Sequence, residues 1–134
     1  MRRILLVEDN HTIRHLLSEA LREGGCDVVT VAGGLEGLRA LQAKRFDALV
    51  SDIVMPDMDG LELIRFARRS FPRLHIVAIT AGTYTLNSDL LLRAAAAAGA
   101  DATLRKPFEM EELIAAVAGE SATIASENDE SSGS

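Results

Sequence analysis

The sequence predicts a doubly wound α/β domain, in which helices cover both faces of a parallel sheet. Three observations predict it: the chain has one domain's length, five short β-prone runs alternate with five helical segments, and three of those runs are continuously apolar. Of the 134 residues, 48% are hydrophobic and 25% are charged, a balance typical of a protein that buries a single core. Strict β-α alternation requires right-handed crossovers and therefore parallel strands.

Five short runs of apolar and β-branched residues predict the strands. The first, third and fourth are continuously apolar, as expected of strands that are buried on both faces. In chain order the runs are Ile4–Val7, Asp27–Val31, Ala48–Ser51, Ile76–Thr80 and Ala102–Leu104.

The segments between these runs have helical spacing. The first helix carries apolar residues at positions 13, 16, 17, 20 and 21, the pattern of one buried face, and ends at Gly24-Gly25. The second runs from about Leu35 to Lys44. The third begins at Asp59, with Glu62 three residues on, and this spacing predicts a capping box, in which each side chain bonds a backbone N–H of the first turn.

Two further helices complete the alternation. The fourth spans Ser88–Ala98, contains five consecutive alanines and stops at Gly99. The fifth carries apolar residues at positions 110, 113, 114 and 117.

Composition excludes several classes of protein. Arg2-Arg3 is followed by only four apolar residues before Glu8, and no run approaches the roughly 20 residues of a membrane span, so neither a signal peptide nor an anchor is expected. The single cysteine, Cys26, excludes an intramolecular disulfide and favours a reducing, cytoplasmic location. No basic stripe with interleaved aromatic residues is present, so direct nucleic-acid binding is not expected.

The charge divides the chain into a domain at 1–119 and a tail at 120–134. The tail carries four of the 20 acidic residues, no Lys or Arg, and several serines. Its few large apolar residues cannot offset the entropy of ordering it, so we expect a disordered tail. The domain keeps 14 basic and 16 acidic residues and is almost neutral, whereas the whole chain has a net charge of −6.

Polar residues stand where the predicted strands end. Glu8 and Asp9 follow the first strand, Asp52 follows the third, Thr80 ends the fourth and Lys106 follows the fifth. The carboxyl ends of parallel strands meet at one edge, so these side chains are expected to converge there. Three converging carboxylates require a cation, and oxygen ligands suit Mg²⁺. A carboxylate nucleophile with a metal, an ammonium and a hydroxyl around it suits phosphoryl transfer onto an aspartate.

These motifs resemble a bacterial two-component response-regulator receiver domain over about residues 2–118. The matching segments are LLVEDN at 5–10, SDIVMPDMDGLELI at 51–64, AITA at 78–81 and GADATLRKPF at 99–108. The resemblance implies a flavodoxin-like sheet with strand order 2-1-3-4-5. The length of the chain predicts the stand-alone, single-domain type.

The resemblance also implies roles for the acidic residues. Asp52 would be the phosphoacceptor and would contact Mg²⁺. Asp9 would be a direct Mg²⁺ ligand, Glu8 would act mainly through water, and the backbone carbonyl of Val54 would be a further ligand.

Thr80 and Lys106 would contact the phosphoryl oxygens, and a cis peptide bond is expected between Lys106 and Pro107. By the same resemblance, the phosphoryl donor would be a histidine kinase or a histidine phosphotransfer protein. Phosphorylation would alter the surface formed by the fourth helix, fifth strand and fifth helix, and so alter binding to a downstream protein or a second copy of the chain. The chain would not be an enzyme beyond assisting its own phosphorylation and slow dephosphorylation.

The sequence departs from the family pattern in the residues that would respond to phosphorylation. Thr103 stands where the family usually has Tyr or Phe, three residues before the conserved Lys. The segment from Thr80 to Gly99 is longer than usual and contains Tyr84, the only tyrosine. We therefore hypothesise that Tyr84 replaces the missing aromatic residue.

Two alternatives follow from these departures. The absence of an aromatic residue at Thr103 leaves open a receiver-like module that binds partners without phosphorylation. A phosphohydrolase that turns over an aspartyl phosphate is less favoured, because such enzymes need a second acid two residues after the nucleophile, and that position is Val54.

Overall fold

The computed structural model describes residues 2–55, 57–80 and 86–119. All ten predicted elements are present in the predicted order. The strands are β1 (Arg3–Val7), β2 (Asp27–Val31), β3 (Ala48–Asp52), β4 (His75–Thr80) and β5 (Ala102–Arg105). The helices are α1 (His11–Glu23), α2 (Gly34–Ala43), α3 (Gly60–Ser70), α4 (Leu86–Ala98) and α5 (Met110–Ala118).

The five strands form one parallel sheet in the order β2-β1-β3-β4-β5, which confirms the predicted order 2-1-3-4-5. The strands are paired so that their carboxyl ends stop close together. Val7 pairs with both Val31 and Ser51, and Thr80 pairs with Arg105. The residues that follow the strands are therefore gathered at one edge.

Two hydrophobic layers lie on opposite faces of the sheet, as the doubly wound prediction requires. One layer joins the sheet to α2, α3 and α4 and includes Leu5, Leu49 and Leu63. The other joins it to α1 and α5 and includes Ile4, Val50 and Leu113. Alternate residues of β1 enter opposite layers, because successive side chains of a strand point to opposite faces.

The helix starts are capped by polar side chains. Asn10 Oδ1 accepts the N–H of Ile13 at 2.9 Å at the start of α1, and Asp59 Oδ1 accepts the N–H of Leu61 at 3.0 Å at the start of α3. The reciprocal bond that we predicted from Glu62 is instead found at α5, where the N–H of Glu109 donates to Glu112 Oε1 at 2.8 Å. In the described hydrogen bonds of α3, only the Asp59 half of the predicted capping box is present.

The element bounds differ from the sequence predictions by up to two residues. β1 and β4 each begin one residue earlier than predicted, at Arg3 and His75, because polar residues pair in the sheet without extending the apolar pattern. Leu16 was predicted on the buried stripe of α1 but is 54% exposed, and Leu17 and Leu21 fill that position. In the ranges that the structure describes, no helix has both the length and the apolar character needed to cross a bilayer.

Two predictions lie outside the described residues. They concern Tyr84 as a replacement aromatic and the tail at 120–134.

Candidate functional site

The candidate site lies at the edge where the strands end. Glu8 directly follows β1, Asp52 is the last residue of β3, Thr80 is the last residue of β4, and Lys106 directly follows β5. The sheet continues briefly past β3, because the N–H of Ile53 donates to the carbonyl of Ile79 at 2.9 Å. The register of the sheet thus brings together four of the predicted site residues.

Three carboxylates form the acidic part of the site. One oxygen each from Glu8, Asp9 and Asp52 lies within 4.8 Å of the other two. Glu8 and Asp52 are buried, whereas Asp9 is exposed. The cluster is therefore open to solvent on the side of Asp9 and closed by the sheet beneath.

Lys106 supplies the positive charge. Its Nζ lies 3.0 Å from Glu8 Oε1 and 3.7 Å from Asp52 Oδ2. The other Glu8 oxygen, Oε2, accepts the N–H of Asn10 at 3.1 Å. Glu8 is only 2% exposed, so it is a buried partner of Lys106 as well as a member of the acidic cluster.

The acidic cluster changes the protonation of Asp52. Burial, the largest influence, raises the pKa of Asp52, as do the charges of Glu8 and Asp9, whereas Lys106 and the Ile53 N–H lower it. The net result is a rise in the pKa from 3.8 to about 6. One ammonium therefore does not balance three carboxylates in this pocket. A cation at the cluster would favour the ionised form of Asp52.

Thr80 and Lys106 are connected through the backbone. The N–H of Lys106 donates to the carbonyl of Thr80 at 3.0 Å, and Thr80 is buried. The peptide bond between Lys106 and Pro107 is cis, as the family resemblance implies. The hydroxyl-bearing residue and the ammonium-bearing residue thus lie side by side on neighbouring strands.

Thr103 and Val54 are the two positions on which the alternative functions depend. Ala102 and Leu104 pack in the layer of α1 and α5, so Thr103, which alternates with them on β5, faces the layer that contains α4. The side chain of Val54 is 61% exposed. Its position two residues after Asp52 therefore presents an apolar group to solvent, where a phosphohydrolase would need an acid.

Two supporting residues were missed by the sequence analysis. Arg14 on α1 donates from Nη1 to the carbonyl of Glu8 at 2.8 Å and thereby holds the loop that carries Glu8 and Asp9. Asp57 accepts the N–H groups of Gly34 and Leu35 at 3.0 and 3.2 Å, so it joins the loop after β3 to the start of α2. Asp57 lies in a run of turn residues, but its partners lie more than 20 positions away and no local pattern indicates them.

Comparison with known proteins gives one family. A model described as the response regulator receiver domain matches residues 4–118. The response regulator receiver protein CpdR of Brucella abortus (strain 2308) is 40% identical over 116 residues, which cover 85% of this chain and 92% of that protein. Response regulator MprA of Mycobacterium ulcerans (strain Agy99) is 40% identical over 114 residues, covering 84% of this chain and 47% of that protein.

The structure is also similar to solved structures of receiver domains. A CheY-like response regulator receiver domain protein from Methanospirillum hungatei JF-1 is 31% identical, with a TM-score of 0.76 over 85% of this chain and 88% of that one. The chain spans nearly all of the Brucella relative but about half the length of the mycobacterial one.

Proposed function

The chain belongs to the response-regulator receiver domain family, and we propose that it is a signalling switch that accepts a phosphoryl group on Asp52 with Mg²⁺. The donor is a phosphohistidine of a histidine kinase or of a phosphotransfer protein. One observation carries the proposal: the carboxylates of Glu8, Asp9 and Asp52 converge within 4.8 Å of one another beside the ammonium of Lys106.

The donor set suits Mg²⁺. Mg²⁺ prefers oxygen ligands, keeps several waters and is commonly held by one or two carboxylates together with phosphate oxygens. Asp9 is exposed and Asp52 is buried at the sheet edge, so these two carboxylates would hold the ion between solvent and sheet. The backbone carbonyl of Val54 and a water-mediated contact from Glu8 complete the predicted ligands. When bound, the ion would neutralise charge on the carboxylates and on the phosphoryl oxygens.

Asp52 is the nucleophile in the proposed reaction. An ionised Oδ of Asp52 forms a bond to phosphorus while the bond from phosphorus to the donor imidazole nitrogen breaks, and the imidazole keeps the electron pair and becomes neutral by proton exchange with solvent. The reaction needs Asp52 in its ionised form, which the raised pKa opposes in the metal-free protein. Lys106 and the hydroxyl of Thr80 then contact the phosphoryl oxygens.

The signal leaves the site through β5 and α4. Lys106 follows β5 and is bonded to Thr80 through the backbone, so a phosphoryl group held by both side chains is coupled to the edge strand. Arg105 forms an ion pair with Asp89 of α4, and the neighbouring Leu90 is an exposed apolar residue. The surface of α4, β5 and α5 is therefore the proposed contact for a downstream protein or a second copy of the chain.

The first test is phosphorylation by a small acyl phosphate donor. The wild-type protein with Mg²⁺ is expected to gain hydroxylamine-labile phosphate, and the gain should disappear in Asp52→Asn and in the presence of EDTA. Asp57→Asn removes a carboxylate five residues away, outside the acidic cluster, and is the matched control that should keep the gain. Equal labelling of wild type and Asp52→Asn, or no labelling of either, would contradict the proposal.

A second test separates a switch from a module that binds partners without phosphorylation, the alternative that Thr103 leaves open. Amide chemical shifts of the full chain are compared before and after addition of beryllofluoride, a phosphoryl mimic, with Mg²⁺. A switch is expected to shift amides of β5 and α4, and Asp52→Asn should prevent the change. Shifts confined to the loops around Asp52 would favour the phosphorylation-independent module.

A further inference from the structure

A large groove lies at the opposite edge of the sheet from Asp52, where the strands begin. Its volume is about 890 Å³. Its walls come from the segment before β1, the connections from α2 to β3 and from α3 to β4, and the end of α5. We define the basic groove by its Lys, Arg and Phe side chains: Arg2, Lys44, Arg45, Phe46, Phe71 and Arg73.

The groove has an excess of positive charge. Four of its lining side chains carry a guanidinium or ammonium group, whereas its acidic lining residue is Asp47. Asp47 Oδ2 already accepts the N–H of Arg3 at 2.7 Å. Arg2 Nε is buried and has no hydrogen-bond partner within the described part of the chain. The groove thus offers donors and positive charge that the described residues do not satisfy.

The chain itself supplies a segment of opposite charge at this place. Gly119 lines the groove, and a Cβ built on it would lie 3.8 Å from His75 Cε1 at the start of β4. The next 15 residues, 120–134, contain four carboxylates and no Lys or Arg. Ile124 lies between the first of these acids and the other three, so the segment carries one large apolar residue as well as its carboxylates, and the groove carries Phe46 and Phe71 as well as its cations.

We propose that the acidic segment 120–134 docks in the basic groove of its own chain. Glu127, Asp129 and Glu130 lie within 11 residues of Gly119, and 11 extended residues span at most about 40 Å, which is enough to reach any wall of the groove. The attachment of the segment at the rim makes the contact intramolecular and so raises its effective concentration. The contact is electrostatic, does not require the segment to fold, and weakens as salt rises.

The test uses paramagnetic relaxation in the full chain. A nitroxide is attached at Asn128→Cys in a Cys26→Ala background, in ¹⁵N-labelled protein without Mg²⁺ or a phosphoryl donor. We expect loss of amide signal at residues 44–47 and 71–75, whereas the amides of Asp9 and Ile53 at the other edge keep their intensity. The loss of amide signal should disappear in the double variant Arg45→Glu, Arg73→Glu. It should return when Glu127→Lys and Glu130→Lys are added to that variant, because the two charges are then exchanged.

Three outcomes would overturn the proposal. One is a signal loss spread equally over both edges, and another is a loss that the charge reversal leaves unchanged. The third concerns a mixture of ¹⁴N chains that carry the nitroxide and ¹⁵N chains that do not. A signal loss in this mixture as strong as that within one chain would assign the contact to a second copy. Because Asp52 takes no part in the experiment, none of these outcomes bears on the proposed phosphorylation.

Discussion

The two lysines of the chain occupy opposite edges of the sheet and opposite surroundings. Lys106 follows β5, is mostly buried, and lies 3.0 Å from the buried carboxylate of Glu8. Lys44 follows α2 at the other edge and is exposed beside the basic groove. Charges that are withdrawn from water interact strongly and alter protonation, whereas exposed charges are screened and contribute little singly.

The same contrast holds for whole ion pairs. The carboxylate of Glu8 is 2% exposed in its pair with Lys106, whereas Arg3 and Asp27 are both about half exposed in theirs. At the edge where the strands end, the strong electrostatic interactions are therefore confined to a few buried contacts. At the edge where the strands begin, the basic groove has an excess of mostly exposed cations, which suits a loosely held acidic segment.

The largest expected effect comes from replacing each lysine by methionine. Lys106→Met leaves Glu8 buried beside Asp9 and Asp52 without a positive partner, and breaking a buried pair in this way is expected to lower the free energy of unfolding by about 3 kcal/mol in EDTA. Lys44→Met, the matched control, should change it by less than about 0.5 kcal/mol, because exposed substitutions have small effects. Urea unfolding followed by circular dichroism measures both.

Mg²⁺ provides a check on the cause. If charge repulsion produces the loss in Lys106→Met, saturating Mg²⁺ should restore part of the stability of that variant. Equal losses in the two lysine variants would show that burial does not distinguish the two edges. A loss in Lys106→Met that Mg²⁺ leaves unchanged would show that charge repulsion is not its cause.

The second prediction is an increase in stability on replacing Asp52, because burial makes the ionisation of this carboxyl group unfavourable. Its folded pKa is about 6 and its usual value is 3.8, so between these values the folded chain holds a proton that the unfolded chain has lost. The contribution of Asp52 to stability therefore falls as pH rises through this window. Asp52→Asn should be more stable than wild type by about 2 kcal/mol above pH 6, after allowance for solvent screening.

Unfolding of the two proteins in EDTA from pH 4 to pH 7 measures this difference. The advantage of Asp52→Asn should be small near pH 4 and reach its plateau above pH 6. Saturating Mg²⁺ should reduce or reverse it, because the ion stabilises the wild-type folded state by binding to it. An advantage that does not vary with pH would mean that packing, not ionisation, distinguishes the two proteins.

The fold was predictable because its signals are local. Continuous apolar runs predict β1, β3 and β4, and the alternation of elements predicts a parallel sheet whose carboxyl ends gather Asp52, Thr80 and Lys106. The bounds were less predictable where a polar residue enters a strand. Arg3 pairs with Asp27 in the sheet, yet its side chain is exposed and adds nothing to the apolar pattern.

The internal contacts of the site were not predictable from the sequence. Glu8 and Lys106 are separated by 98 positions, and no periodicity indicates that Glu8, which was expected to act mainly through water, is the nearer carboxylate to the lysine. The basic groove was also missed. Its cations come from the segment before β1 and from two separate connections, and none of these forms a basic run that would stand out in an almost neutral domain.

The smallest expected effect concerns Asp57, an exposed carboxylate that is nevertheless held in place. Its oxygens accept the N–H groups of Gly34 and Leu35 at the start of α2. Gly33 allows this approach, because a Cβ there would lie 2.5 Å from Asp57 Oδ2. The two N–H groups, with that of Leu35 the stronger influence, lower the pKa of Asp57 below 3.8.

The pH dependence of Asp57 should therefore be opposite to that of Asp52. A lowered pKa contributes stability that is present above pH 3.8 and is lost as pH falls through the folded value. Asp57→Asn keeps an oxygen acceptor but loses the charge, so it should be slightly less stable than wild type at neutral pH, and the difference should shrink in acid and at high salt. Unfolding of both proteins from pH 2 to pH 7 measures the difference. A stability difference that grows as pH falls would mean that exposure, and not the helix start, decides how this carboxylate behaves.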